Sequence, residues 1–262
     1  GQKCTAVRRI LVPENKIDQV QKALITKLEK TIIGNPENKD VRMGALASKI
    51  QVERVKENVE LLMESQEKVF DNSSNLNLID ASEEKGAFFS PILFRNDEPF
   101  FKDAVHNIEA FGPVSTLIPY KNMEEAVELV EMGKGSLVTS FVSNDDQKSK
   151  EFVVETAHTN GRILVLNSRC SKESTGHGSP MPLLVHGGPG RAGGGEEMGG
   201  IRGIKHYLQR TAIQGHPETI TKITEQFQIG GNQPESNPHV FRKHFEELNV
   251  GDTVFTLSLI HI

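Results

Sequence analysis

The chain has 262 residues, enough for one large domain or a large domain and part of a second. With 25% charged residues, 36% hydrophobic residues and a net charge of −5, it reads as a soluble globular protein without the basic stripe that nucleic-acid binding needs. No apolar run has the length of a membrane span, Cys4 and Cys170 make no disulfide framework, and the histidines lack zinc-site spacing, so a reducing, cytoplasmic setting without a metal is expected.

Strand and helix patterns alternate along the chain. "RRILVP" (8–13) predicts a short buried strand closed by proline. Over 17–32, Ile17, Val20, Leu24, Leu28 and Ile32 recur at helical spacing, and "GNP" stops the helix. A second helix is expected over 49–65. "AFFSPILF" (87–94) reads as a strand whose proline favours an edge or a bulge. "FGPVSTLIPY" (111–120) supplies a turn and a strand, and 122–135 a helix whose Gly133 and Gly135 fit a C-terminal stop. A strand over 136–146, a helix over 146–161 ended by Gly161, and a strand over 162–167 complete the pattern. The alternation predicts an α/β layer fold with a largely parallel sheet. The stretch 171–203 is loaded with glycine, and 216–238 is polar and proline-dotted, as a linker would be.

Two short stretches carry candidate chemistry. "GQKCTA" places Cys4 among small neighbours; a free cysteine is commonly just a small buried residue, but a thiolate is also a good nucleophile toward carbonyls. "IEAFGPV" (108–114) sets Glu109 two residues before Phe111 and a tight turn, where an isolated acid would be a solvated loop residue.

Together, in this order and spacing, the two stretches resemble the "GQxC" and "ExFGPV" motifs of the aldehyde dehydrogenase superfamily. "GAFFSPILF" is similar to the segment before the second motif, and "GRILVLN" to a later strand. The resemblance covers roughly residues 1–215. It implies a three-layer catalytic domain with a mostly parallel sheet, and a catalytic cysteine at Cys4 that attacks an aldehyde, gives up hydride from the thiohemiacetal and leaves a thioester for hydrolysis. It also implies that the Cys4 N–H helps hold the oxyanion, that Glu109 bonds the nicotinamide-ribose hydroxyls, and that Phe111 packs near the nicotinamide ring. In that superfamily the dinucleotide-binding half, the oxyanion asparagine and the glutamate base precede the cysteine. The chain is therefore expected to be a fragment, inactive on its own.

The glycine-rich "VHGGPGRAGGGEEMGGIRG" lacks the Lys-Ser/Thr ending of a phosphate loop and the later acidic residue of a dinucleotide fingerprint. It is instead similar to the form found in superfamily members that act on CoA-bound semialdehydes, among them the bifunctional enzymes of phenylacetate degradation. The strand from Gln209 to Gln214, "QRTAIQ", would then join subunits of a homo-oligomer. "FRKHFEELNVGDTVFT" (241–256) resembles the start of a MaoC-like hot-dog hydratase, so 239–256 is expected to begin that domain. The final hexapeptide, 257–262, reads as a non-native tail, since a common transposon end translates to "LSLIHI".

These resemblances imply oxidation of 3-oxo-5,6-dehydrosuberyl-CoA semialdehyde with NADP, or with NAD, beside an oxepin-CoA ring-opening hydratase. Two alternatives stand: a separate semialdehyde dehydrogenase of aerobic benzoate-CoA breakdown, and a non-catalytic assembly module. Neither a nucleic acid nor a membrane is expected as a partner.

Overall fold

The computed structural model describes residues 1–172, 187–193, 201–206, 215–224 and 226–231. The expected subunit-joining strand at 209–214, the hydratase start at 239–256, the tail at 257–262 and residues 173–186 and 194–200 of the glycine-rich stretch lie outside the described residues. The chain divides into two compact units, Gly1–His206 and Tyr207–Ile262.

In the first unit, strand β1 (Arg9–Pro13) leads through a short 3-10 turn into helix α1 (Ile17–Glu29). The two-residue strand β2 (Ile33–Gly34) follows, then α2 (Lys49–Met63), β3 (Glu67–Asp71) and β4 (Leu78–Ile79). Next come β5 (Ile92–Arg95), the one-turn helix α3 (Ala104–Asn107), β6 (Val114–Tyr120) and α4 (Met123–Glu131). Strand β7 (Ser136–Val142), α5 (Asp146–Thr156), β8 (Asn160–Leu166) and α6 (Ile201–His206) close the unit.

The main sheet has the order β1-β6-β5-β3. Its β1–β6 and β5–β6 ladders are parallel, with Arg9 opposite Thr116 and Ile92 opposite Val114, while β3 joins antiparallel with an irregularity between Lys68 and Phe70. Strands β2 and β4 pair in parallel, as do β7 and β8.

The period-2 alternation of the strands sorts their side chains onto two faces. Val12, Leu93 and Leu117 face α1, whose Ile17, Val20, Leu24 and Leu28 pack on them. Ile92, Phe94 and Val114 face the other way, against Val55, Val59 and Leu62 of α2. Ile118 joins Val105 of α3 and Leu129 of α4 on that second side. The result is three layers, helix, sheet and helix. Each fully buried Leu, Val or Phe contributes about 1.5–3 kcal/mol, so these seams dominate the stability. Helix starts are capped as the sequence allows: Asn122 Oδ1 accepts from Glu125 N at 2.9 Å, and Asp145 Oδ1 from Gln147 N and Lys148 N, both at 3.0 Å.

Several expectations need correction. The strand over 87–94 begins only after Pro91 and lies between β6 and β3, so it is an interior strand with the proline outside its ladder. Gly161 does not end a helix: α5 stops at Thr156, a 3-10 turn follows, and Gly161 lies within β8. The stop expected at Gly133 and Gly135 is present, by contrast: α4 ends at Glu131, Gly133 N donates to Val130 O at 3.0 Å, and Lys134 and Gly135 are left-handed. Ile32 lies beyond α1 and is exposed.

In the second unit the described residues contain α7 (Pro217–Thr224), a helix inside the stretch expected as linker. Proline at its first position suits a helix start, and Thr221 Oγ1 accepts from Gln228 N at 3.0 Å. Among the described residues no helix is long and apolar enough to cross a membrane, and no three His, Cys, Asp or Glu side chains group as a metal site.

Candidate active site

Cys4 is exposed and sits at the second position of a tight turn closed by the bond from Ala6 N to Lys3 O, 3.0 Å. That bond leaves the Cys4 N–H unused by the turn itself. The flanks of the turn are anchored on both sides. Before it, the Gln2 side chain accepts from Ala47 N at 2.8 Å and donates to Gln51 Oε1 at 3.2 Å, tying the segment to the start of α2. Gly1 packs against Pro113 so closely that a Cβ there would stand 2.4 Å from the proline Cα.

After the turn, Val7 O accepts from Ser115 Oγ at 2.6 Å, and Arg8 O from Thr116 N at 2.9 Å. The Arg8 guanidinium donates to Ile108 O at 3.2 Å and to His106 O at 3.4 Å. The cysteine turn is thus bracketed by contacts to one segment, the run from His106 to Thr116 that carries the second motif.

Within that run the core holds alternate residues. Ala110 is buried, while Glu109 and Phe111 are exposed on either side of it. Phe111 has φ +52, a left-handed conformation that costs a residue with a Cβ about 1–2 kcal/mol. The segment therefore holds a large ring out to solvent against both its hydrophobicity and its backbone preference. Strain of this kind concentrates where a side chain is held for a task. The three sequence-expected residues all lie on the bracketed segments.

Beside them are residues that the sequence did not single out. His106 is buried; its Nδ1 lies 2.9 Å from Arg9 Nη1 and its Nε2 3.0 Å from Pro99 O. Arginine can only donate, so Nδ1 accepts and Nε2 carries the proton. Burial, followed by the charge on Arg9, lowers the imidazole to about 4, so it stays neutral. Burial lowers the Arg9 guanidinium to about 10, with Arg8 and Arg191 acting in the same direction. Burial also lowers Arg8, aided by Arg191 and opposed by the carboxylate of Glu109. Arg8 had a weak signal, an arginine four residues after the cysteine. His106 had none.

Between 187 and 190 the glycine run packs backbone to backbone. A Cβ on Gly161 would stand 1.9 Å from Gly187 O, and one on Gly135 would stand 2.0 Å from Pro189 O. Glycine serves close approach at these points. A groove lined by Gly1, Gln2, Arg42, Met43, Phe89 and Pro113, among others, flanks the cysteine segment; Cys4 is not on its wall.

Residues 1–213 match the aldehyde dehydrogenase family. The chain is 46% identical over 215 residues to Protein MaoC of Klebsiella aerogenes, covering 82% of this chain and 62% of that protein. It is 38% identical over 189 residues to 3,4-dehydroadipyl-CoA semialdehyde dehydrogenase of Aromatoleum evansii, covering 72% of this chain and 37% of that enzyme. Among solved structures, betaine aldehyde dehydrogenase from Staphylococcus aureus in complex with NAD+ superposes with a TM-score of 0.64 at 23% identity, over 79% of this chain and 38% of that one. Succinic semialdehyde dehydrogenase from Streptococcus pyogenes in complex with NADP+ gives 0.62 at 21%, over 76% and 39%. At such identities the likeness is one of fold. The chain spans less than two thirds of the length of these curated relatives.

Proposed function

The chain belongs to the aldehyde dehydrogenase family, and we propose that it carries the nucleophile and the nicotinamide-facing residues of an enzyme that oxidises a CoA-linked semialdehyde to the acid. The observation that carries this reading is the bracketing of the exposed Cys4 turn by the segment bearing Glu109 and Phe111, through Gly1, Val7 and Arg8.

The Cys4 Sγ, as thiolate, forms a bond to the aldehyde carbon while the carbonyl electron pair moves onto oxygen. The Cys4 N–H, unused by its turn, donates to that oxyanion, and preorganised donors of this sort are worth several kcal/mol of barrier. When bound, a nicotinamide supplies the acceptor for the hydride that leaves the same carbon. The acyl group then remains on Sγ as a thioester until water adds, releasing the carboxylic acid and restoring the thiol.

The residues present fit the nicotinamide-ribose end of such a cofactor. An exposed carboxylate at Glu109 offers two acceptor oxygens to a vicinal diol, and an exposed ring at Phe111 offers a flat apolar face. Both NAD+ and NADP+ occur with structural neighbours, and either satisfies these two residues.

The Aromatoleum relative, named for a CoA semialdehyde, supports the substrate class, and the higher identity to the Klebsiella protein, named MaoC, supports the reading with an attached MaoC-like hydratase in phenylacetate breakdown. In that reading 239–256 begins a hydratase domain, and the strand at 209–214 joins subunits. The test is Cys4→Ala in the full-length protein. Aldehyde oxidation is expected to fall by about a thousandfold or more, with hydratase activity intact; dehydrogenase turnover within tenfold of the parent rejects the assignment.

A further inference from the structure

The glycine-rich loop takes no part in the chemistry above, yet the side chain of its Arg191 reaches the site. Arg191 Nη1 donates to His106 O at 2.8 Å and its Nη2 to Asn107 O at 3.3 Å. Arg8, from the cysteine segment, donates to His106 O and Ile108 O. Three consecutive carbonyls are therefore held by two guanidinium groups, and the next residue is Glu109.

These carbonyls belong to the end of α3, a helix of four residues. The last carbonyls of a helix lack intrahelical donors and carry partial negative charge, so a cation there is favourable. One turn of helix cannot fix its own direction. The planar guanidinium fork, which spans two acceptors at once, can do so.

Arg191 is itself firmly placed. Its backbone N–H donates to Lys134 O at 2.9 Å, and Pro189 and Gly187 dock against Gly135 and Gly161, where only glycine fits. Lys134 Nζ adds a bond to Asn107 Oδ1 at 2.9 Å. The loop is thus braced on β7 and β8, and it reaches the second motif through one side chain.

We propose that Arg191 is a positioning residue for Glu109 and Phe111, coupling the glycine-rich loop to the nicotinamide-facing segment; the inference rests on the reading of Glu109 given above. Arg191 touches neither substrate nor cofactor. It holds the peptide from which the carboxylate and the ring project, so its loss blurs their placement and leaves the thiol as it was.

The test uses the full-length protein and measures NAD+ and NADP+ binding by calorimetry, KM for each dinucleotide and for aldehyde, and the alkylation rate of Cys4 by iodoacetamide. Arg191→Gln is expected to weaken dinucleotide binding and raise its KM by about tenfold, leaving aldehyde KM and Cys4 alkylation within about twofold. Arg191→Lys, which keeps the charge but not the two-pronged fork, is expected to recover only part of the loss. Leu24→Ala, in the helix on the opposite face of the sheet, is the destabilised control.

Dinucleotide binding unchanged in Arg191→Gln overturns the inference, as does an equal loss in Leu24→Ala at a matched melting point. A Glu109→Gln protein that binds like the parent overturns the underlying reading instead. Loss in Glu109→Gln without loss in Arg191→Gln overturns only the positioning role.

Discussion

Gly1 lies against Pro113 with no room for a side chain: a Cβ on residue 1 would come within 2.4 Å of the proline Cα and 2.5 Å of its nitrogen. This contact joins the start of the cysteine segment to the end of the second motif. Neither partner is a flexible side-chain tip, so a larger residue has to displace backbone. Gly1→Ala in the full-length protein is expected to cost about 1–3 kcal/mol of stability through overpacking. It is also expected to lower aldehyde turnover more than tenfold by shifting the Cys4 turn. Equilibrium unfolding in urea and steady-state kinetics check both; parent-like turnover means that the contact does not set the turn.

Glu109→Gln keeps the size of the side chain and one carbonyl acceptor but removes the charge. Since Glu109 is exposed, folding stability is expected to stay within about 0.5 kcal/mol. Dinucleotide KM is expected to rise, and hydride transfer to slow by up to about a hundredfold through lost positioning. A lowered melting point with unchanged turnover assigns the carboxylate a structural role instead.

Phe111 separates strain from function. Its φ of +52 suits glycine, so Phe111→Gly is expected to be about 1 kcal/mol more stable than Phe111→Ala, although both lose the ring. Both variants should bind the dinucleotide more weakly than the parent. Comparing the two melting curves checks the first claim, and calorimetric titration checks the second.

The elements were legible where periodicity was clean. Ile17, Val20, Leu24 and Leu28 mark α1 by their spacing, and the strands β1, β6, β7 and β8 by their apolar runs between turn residues. Strand β3 escaped notice because "EKVFD" is short, begins with two charges and lies exposed at a sheet edge. Pro91 misled because a proline just before a strand and a proline inside one look alike in sequence. Cys4, Glu109 and Phe111 were legible as motifs. The bonds of Arg8 and Arg191 go to backbone carbonyls far along the chain, and His106 meets the Arg9 side chain 97 positions away, pairings that residue types cannot encode. Glycine composition is likewise the same for a phosphate cradle and for close backbone packing.

His106 makes stability depend on pH. Its folded value, about 4, is below the ordinary 6.5, so the unfolded chain binds the proton more readily. The contribution is fully present above pH 6.5 and is lost as pH falls from there toward 4. Over that window it amounts to at most about 3 kcal/mol. Urea unfolding between pH 7.5 and 4.5 is expected to show a steeper loss in the parent than in His106→Asn. Parallel curves mean that the imidazole titrates normally.

The main sheet imposes an order on synthesis. Arg8 meets Ile108 across 100 positions, and Val7 meets Ser115 across 108. A ribosome adding about 5–20 residues per second needs on the order of ten seconds to make the chain in between. Throughout that interval β1 has no β6 to pair with, and the cysteine turn lacks its later supports. The nascent thiol meets cellular oxidants as an ordinary unfolded cysteine, free to form mixed disulfides or sulfenic acid. Slower translation between residues 8 and 120 therefore lengthens the time for which the cysteine turn is held by neither Ser115 nor Ile108, a dependence that the finished fold conceals.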